Sequence, residues 1–399
     1  MERARRAAAA ALAASTLLIG GPRLTRHDPL LDSIPSPQLS TTRSHLRMQG
    51  HRFMSATTTF QWRGISAFAL VDQEADGRHA EVVRFLDWAA ARHLTVVRVF
   101  TMARHLFDLA PVDGVRALPT VLELAAARHL HVEAVALADT AAIPLDLDEH
   151  VKRVGAIASR YPNAIVEIAN EPAHPTQRSE VHDPGVLKRL AALVPAGVPV
   201  ALGSAEENDA FSGGAFATMH FPRTDGRSEW GHVLALARGA ALLRQWSKPV
   251  VSDEPIGAAE QFVRGRRDDL PARFRAAALL TRLAGLGATF HYEGGLQARI
   301  PAGREGECFD AWNSAWTLLP DDVEQRGTFH AAGEPGAAVA AYAHERAAGV
   351  FERQWDNVTW VLAIDVTGEP GLRWAAGWNP LDVRKFEGIQ LVSARRAPK

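Results

Sequence analysis

Residues 86–100 read LDWAAARHLTVVRVF, and residues 122–136 read LELAAARHLHVEAVA. The two stretches start 122 − 86 = 36 residues apart. Each opens as an Ala- and Leu-rich run of helical spacing, passes through Arg-His-Leu, and ends in a Val-containing strand pattern. One helix and one strand repeated at that interval form the unit of a closed ring of equivalent elements. His93 and His129 fall where each helix stops. There an imidazole meets free carbonyls and the negative end of the helix dipole, which predicts a capping role.

Working outward, the same alternation runs from residue 60 onward. Strand patterns occur at 60–67, 95–101, 131–138, 164–169, 198–203, 216–221, 248–253 and 287–292. Helical runs at 78–92, 117–128, 148–160, 186–194, 231–246 and 271–285 lie between most of them. Eight alternating units predict an α/β fold, a (β/α)8 TIM barrel, with helices outside a parallel sheet. An open doubly wound sheet would want a Gly-rich phosphate loop after its first strand, and GISAFALVDQEADG (64–77) is not one. Residues 204–215 are too short to hold much helix between strands five and six. After the barrel, TWVLAIDVTG (359–368) and GIQLVSARR (388–396) read as strands. GAAVAAYAHERAAGVFER (336–353) reads as helix or edge strand. The expected organisation is therefore an N-terminal arm over 1–50, a barrel over 51–320 and a small β-rich C-terminal module over 321–399.

Composition narrows the partners. A net charge of -1, with Arg scattered among acids, predicts no nucleic-acid partner. The single cysteine, Cys308, excludes an internal disulfide and a thiolate cluster. MERARR followed by an apolar run over 7–21 reads either as a secretory signal, implying export, or as an Ala-rich arm of a cytoplasmic protein. It is too short to span a bilayer comfortably, so no membrane span is expected. Residues 22–50 lack periodicity and read as linker or arm.

In a barrel of this type the reactive groups stand at the C-terminal ends of the strands. Asn170 and Glu171 follow the fourth strand in VEIANEP (166–172), and Glu254 follows the seventh in KPVVSDEPIG (248–257). Two carboxyl groups facing each other across the mouth suit glycoside hydrolysis, in which one protonates the leaving oxygen and the other attacks the anomeric carbon. Arg98 interrupts an apolar strand and needs an acidic partner, either Glu254 or the strand residues Glu133 and Glu167. His220 and His291 end strands six and eight, and Asp139 ends strand three. Tyr292 and Trp312 are candidate aromatic platforms. No His-x-x-x-His, calcium-loop or Gly-x-Ser-x-Gly pattern occurs, so neither metal nor cofactor is expected.

VEIANEP resembles the strand-four signature of the cellulase-like, family-five type of glycoside hydrolases and of the retaining clan around them. The resemblance covers about residues 60–320. It implies that Glu171 is the acid/base, Glu254 the nucleophile 254 − 171 = 83 residues later, Asn170 a ligand of the sugar 2-hydroxyl, and Arg98 the support of the nucleophile. It also places His220 near the acid/base and implies a carbohydrate substrate. An acid of this kind is expected to have a raised pKa at rest. Three departures stand out: Glu-Pro-Ile-Gly at strand seven, HYEGG without Trp at strand eight, and Phe221 where a Tyr is common. Hydrolysis, transglycosylation and non-catalytic carbohydrate binding are the three readings that follow.

Overall fold

The structure, a computed structural model, describes residues 28–34, 44–204, 209–221, 230–254, 270–292 and 297–398, with the backbone of 262–263 and 266–267. The signal-like run 7–21 and most of the arm lie outside the described residues. The chain divides into two compact units, Met1–Pro35 and Ser36–Lys399. In the first, Pro29–Asp32 forms one helical turn, capped by the Asp28 carboxylate, which accepts the Leu30 N–H at 3.0 Å.

The second unit is built on eight parallel strands: β1 (Arg63–Ser66), β2 (Val96–Phe100), β3 (His131–Leu137), β4 (Ala164–Ala169), β5 (Val200–Gly203), β6 (Ala217–Met219), β7 (Val250–Ser252) and β8 (Gly287–Phe290). Their order is β5-β4-β3-β2-β1-β8-β7-β6. A parallel bridge between Ser204 and Thr218 joins the two ends, so the sheet closes on itself. The outer helices include α1 (His79–Ala91), α2 (Pro111–Ala126), α3 (Leu147–Ala158), α4 (Pro184–Ala191), α5 (Gly239–Trp246), α6 (Pro271–Ala284) and α7 (Gly303–Ala315). Between β5 and β6 the described residues hold a single 3₁₀ turn, Asp209–Phe211.

The repeat that announces the barrel has a geometric cause. His93 and His129 adopt left-handed φ values of 58° and 61° just beyond α1 and α2. Leu94 N–H then reaches back to Ala89 O at 3.1 Å, and Leu130 N–H to Ala125 O at 2.9 Å. Leu94 and Leu130 are buried at 4% and 1% exposure, which completes the hydrophobic contact typical of this helix ending. The capping expected of the imidazoles is thus made, in both copies, by a main-chain device that turns the chain straight into the next strand.

The barrel interior is layered. Its floor is apolar: Trp62, Val96, Ile165, Ala201, Phe216 and Val251 pack together with Leu46 and Phe53 from below. Phe53 belongs to a three-stranded antiparallel sheet over 47–60, which Leu46 immediately precedes and part of which the sequence assigns to the arm. Above the floor the inward positions turn polar, beginning with Arg98, Glu133 and Glu167.

Beyond α7 lie five antiparallel strands, β9 (Thr328–Ala331), β10 (Gly349–Trp355), β11 (Val358–Ile364), β12 (Trp378–Phe386) and β13 (Ile389–Arg396). They are ordered β9-β10-β11-β13-β12. The stretch 336–353 resolves as strand, split between Val339–Ala341 and β10. Arg353 of β10 bolts this sheet to the barrel, donating to Leu283 O at 2.7 Å and Glu324 O at 3.0 Å.

Replacing the left-handed histidines by glycine removes a Cβ penalty, so His93→Gly and His129→Gly are expected to hold or raise stability by up to about 1 kcal/mol. Leu94→Ala and Leu130→Ala should each cost about 2–5 kcal/mol. Urea midpoints at constant slope measure both.

Candidate active site

Arg98, at 0% exposure, stands on β2 in the polar layer and organises it. Its Nε donates to Glu167 Oε2 at 2.9 Å, Nη1 to Glu254 Oε1 at 3.0 Å and Nη2 to Asn170 Oδ1 at 2.9 Å. Nη2 also lies 3.4 Å from Asp253 Oδ2, and Nε 3.8 Å from Glu133 Oε2. Both partnerships considered from the sequence are therefore present at once. Arg98 and Glu133 are direct neighbours in register, and period-2 alternation along β4 puts Glu167 on the same inner face. Thr218 on β6 donates to the other oxygen of Glu167 at 3.3 Å.

This crowding sets the protonation states. Burial would strip the charge from Arg98, but Glu167, Asp253, Glu254 and Glu133 together hold its pKa well above the ordinary value. Burial, reinforced by Glu167, pushes Glu133 well above the carboxylate range against the pull of Arg98. Burial likewise raises Glu167 to about 7, again opposed by Arg98. A single guanidinium cannot keep every carboxylate of the layer ionised, so the layer retains protons.

Above it the rim residues converge. Glu171 follows β4 with a left-handed φ of 41°, a conformation that L-residues avoid and that concentrates at functional positions. Its side chain is 32% exposed, against 6% for Glu254. His220, just after β6, bridges the two: Nδ1 is 3.1 Å from Glu171 Oε1, and Nε2 is 3.4 Å from Glu254 Oε1. An oxygen of Glu171, a ring nitrogen of His220 and an oxygen of Glu254 all lie within 4.8 Å of one another. Those three atoms have the spacing of cation ligands, but the Arg98 guanidinium already occupies the inner side of Glu254, which suits a network of charge pairs better. His291 lies 3.7 Å from Glu254 Oε2 through Nε2, and its Nδ1 meets Ser66 Oγ at 2.9 Å.

The expected elevation of Glu171 is reversed. Burial raises its pKa, but the hydrogen bond from His220 and the charge on that ring outweigh burial and lower it. Burial disfavours the His220 cation, yet Glu254 and Asp253 hold its pKa well above 6.5.

The remaining candidates lie elsewhere. Asp139 has a φ of 54° and turns its carboxylate to the backbone N–H groups of Arg104 at 3.3 Å and His105 at 3.0 Å. Tyr292 is 4% exposed beside Phe274 and Phe290, on the outward side of β8. Trp312, at 1%, sits on α7 against Phe290, Phe309 and Trp316, within the helix–barrel interface. The structure thus brings together Arg98, Asn170, Glu171, His220, Glu254 and His291, and not these three.

Three supporting groups escaped the sequence reading. Asp253 shares the network from the position before Glu254, and two adjacent acids closing an apolar strand were its visible signal. Gln177, buried, donates to Asn170 O at 2.5 Å and Leu137 O at 3.3 Å, pinning the loop that carries Glu171. Gly203 ends β5 with a φ of 143°, and a Cβ there would stand 2.3 Å from Ala169 O and 2.7 Å from Pro172 Cγ. Its signal was only a glycine closing a strand.

Closed parallel barrel, antiparallel C-terminal sheet and polar rim together define a fold similar to that of family-five, cellulase-like glycoside hydrolases. A glycoside hydrolase structure superimposes with a TM-score of 0.60 at 13% identity, over 89% of this chain and 98% of that one. A family-five glycoside hydrolase from Bacteroides vulgatus gives 0.57 at 11% identity, over 88% and 93%. A β-glucanase from Saccharophagus degradans, solved with cellotetraose, gives 0.51 at 10%, over 72% and 98%. At these identities the likeness is one of fold. No family model matches the sequence, and no curated protein matches it. No described helix is long and apolar enough to cross a membrane.

Glu167, raised from its ordinary 4.5 to about 7, favours the folded state most below 4.5, and that contribution is lost as pH rises through 7. Glu167→Gln is expected to flatten the pH dependence of stability across that window, read from urea midpoints at successive pH values. Gly203→Ala should cost about 1–3 kcal/mol by forcing the end of β4 aside, read from the same midpoints.

Proposed function

We propose that this chain is a retaining glycoside hydrolase acting on a β-linked glycan or glycoside, with Glu171 as acid/base and Glu254 as nucleophile. The observation that carries the reading is the short span between the two carboxyl groups, whose near oxygens lie within 4.8 Å. Retaining enzymes hold their carboxyl groups about 5–5.5 Å apart, whereas inversion needs about 6.5–9.5 Å for an intervening water.

The two environments divide the roles. Glu254 is enclosed and paired with Arg98 at 3.0 Å, which favours its charged form and suits a nucleophile. Glu171 is the more open to solvent, which suits a group that must meet a departing oxygen and then a water. Asn170 commits Oδ1 to Arg98, so its amide N–H₂ is the donor for the sugar 2-hydroxyl. In the first step the Glu254 carboxylate bonds to the anomeric carbon while Glu171 protonates the departing oxygen. In the second, Glu171 takes a proton from water, or from a sugar hydroxyl in transglycosylation, as the ester bond breaks back to Glu254.

One feature favours a second reading, a barrel that binds carbohydrate without cleaving it: the hydrogen bond and charge of His220 lower the Glu171 pKa and so favour its charged form. Activated aryl glycosides separate the two. Wild-type protein should release the aryl alcohol, and Glu254→Ala should be inactive. Azide should restore turnover of that variant and give a glycosyl azide of inverted configuration. Saturable sugar binding without turnover across a broad glycoside panel would favour the second reading. Glu171→Ala should lower kcat/KM by about 10²–10⁴-fold on poor leaving groups, much less on activated ones.

A further inference from the structure

Resting on the glycosidase reading, we propose that Asp253 and His220 form a proton-holding pair for Glu171, in which Asp253 positions the imidazole through Nε2 and Nδ1 exchanges one proton with the Glu171 carboxyl.

The geometry of the ring carries this. His220 Nδ1 faces Glu171 Oε1 at 3.1 Å, while Nε2 faces Asp253 Oδ1 and Glu254 Oε1, each at 3.4 Å. A neutral imidazole carries one N–H and one lone pair. With ionised carboxylates on both sides, that lone pair would oppose a negative oxygen. Two arrangements remove the conflict. The ring holds two protons beside an anionic Glu171, or the ring keeps Nε2–H and Glu171 donates its own proton to Nδ1. They differ only in the place of one proton along the 3.1 Å contact.

Asp253 makes the arrangement directional. It is fully buried, its Oδ2 is 3.4 Å from Arg98, and neither of its oxygens has a hydrogen-bond partner within the usual limits among the described residues. His220 Nε2, which also has no hydrogen-bond partner within those limits among the described residues, faces Oδ1 across 3.4 Å. In both arrangements Nε2 keeps its proton, so Asp253 fixes the tautomer and leaves Nδ1 as the exchanging atom. The groups facing His220 include Glu171 on β4, Asp253 and Glu254 on β7, and Arg98 on β2. Glu133 and Glu167 lie deeper. Among these neighbours, only Glu171 is substantially open to substrate.

The reaction then balances. The proton passes from His220 Nδ1 to the Glu171 carboxyl and on to the glycosidic oxygen, which keeps the electron pair of its broken bond to carbon. Glu254 forms the ester, and His220 remains neutral with Nε2–H. When water attacks, Glu171 takes its proton, the ester pair returns to Glu254, and the proton resettles on Nδ1. Asp253 and His220 are positioning residues; neither bonds to substrate.

Two measurements test this. The first needs no turnover: ¹⁵N-histidine NMR of the full chain, with His220 assigned by substitution. Both ring nitrogens are expected to carry protons in wild type at neutral pH, and Asp253→Asn should move the His220 titration downward. A neutral ring whose bare nitrogen is Nε2 at pH 6, or a titration unmoved by Asp253→Asn, overturns the proposal even if glycosides are hydrolysed. The second is leaving-group dependence. A lost proton supply is expected to lower kcat/KM of Asp253→Asn about tenfold or more for alkyl glycosides and only a few-fold for dinitrophenyl glycosides, within the range of general-acid effects. An equal loss on both classes marks a structural role and overturns it. A wild type inert to every glycoside defeats the glycosidase reading, while the NMR result still decides the proton pair. Should Asp253→Asn not fold, the wild-type ring protonation decides alone.

Discussion

A guanidinium sealed inside a barrel is the constraint around which the rest is arranged. Arg98 is fully buried, so its donors must find oxygens within the protein. It finds them on three different strands or strand ends: Glu133 on β3, Glu167 and Asn170 at β4, and Asp253 and Glu254 after β7. Breaking such a group by removing one partner leaves charge uncompensated in a low-dielectric interior, which is far worse than never burying it. Strand ends on opposite sides of the barrel are thereby held to one cation. The rim inherits its geometry from that layer, because Asn170 and Glu254 are direct ligands of Arg98 and Glu171 is the next residue along.

The same constraint explains why the interior is divided by height. Below Arg98 the inward residues are Trp62, Val96, Ile165 and Phe216, and the sheet over 47–60 shuts the floor with Leu46 and Phe53. With an apolar floor beneath it, the polar layer lies toward the rim. Proton uptake by Glu133 and Glu167 trims the negative charge that one arginine cannot match. Gly203 serves this design from the side, since any side chain there would drive Ala169 and Pro172 away from β5.

Much of this was legible because barrels write their order into the chain. The 36-residue repeat shows up through a helix ending that recurs with the same residues, and VEIANEP and SDEP close strands four and seven with acids. What was illegible depends on where a side chain points rather than on where it falls. Tyr292 is two residues after Phe290 and shares its outward parity, whereas His291 between them points in. Trp312 lies on the face of α7 that packs on β8. Asp139 does end its strand, but a left-handed backbone turns it to the Arg104 and His105 amides. Strand ends can be read from pattern, but the parity of a residue just past the end depends on where the strand stops.

The electrostatics of the rim rest on an asymmetry between two chemically identical groups. Glu254 sits among Arg98, His220 and His291 and is 6% exposed. Glu171 has one partner, His220, a strained backbone and an open side. A carboxylate paired with a guanidinium, as Glu254 is with Arg98, loses basicity and keeps its charge; one held by a titratable ring can trade a proton with it. The sum of charge over Glu171 and His220 is the same whichever of them carries the proton. A proton moving along that contact therefore leaves the net charge of the pair unchanged. On the proposed assignment of Glu171 as acid, its lowered resting pKa would be compatible with that chemistry, because the proton would be stored one contact away on His220.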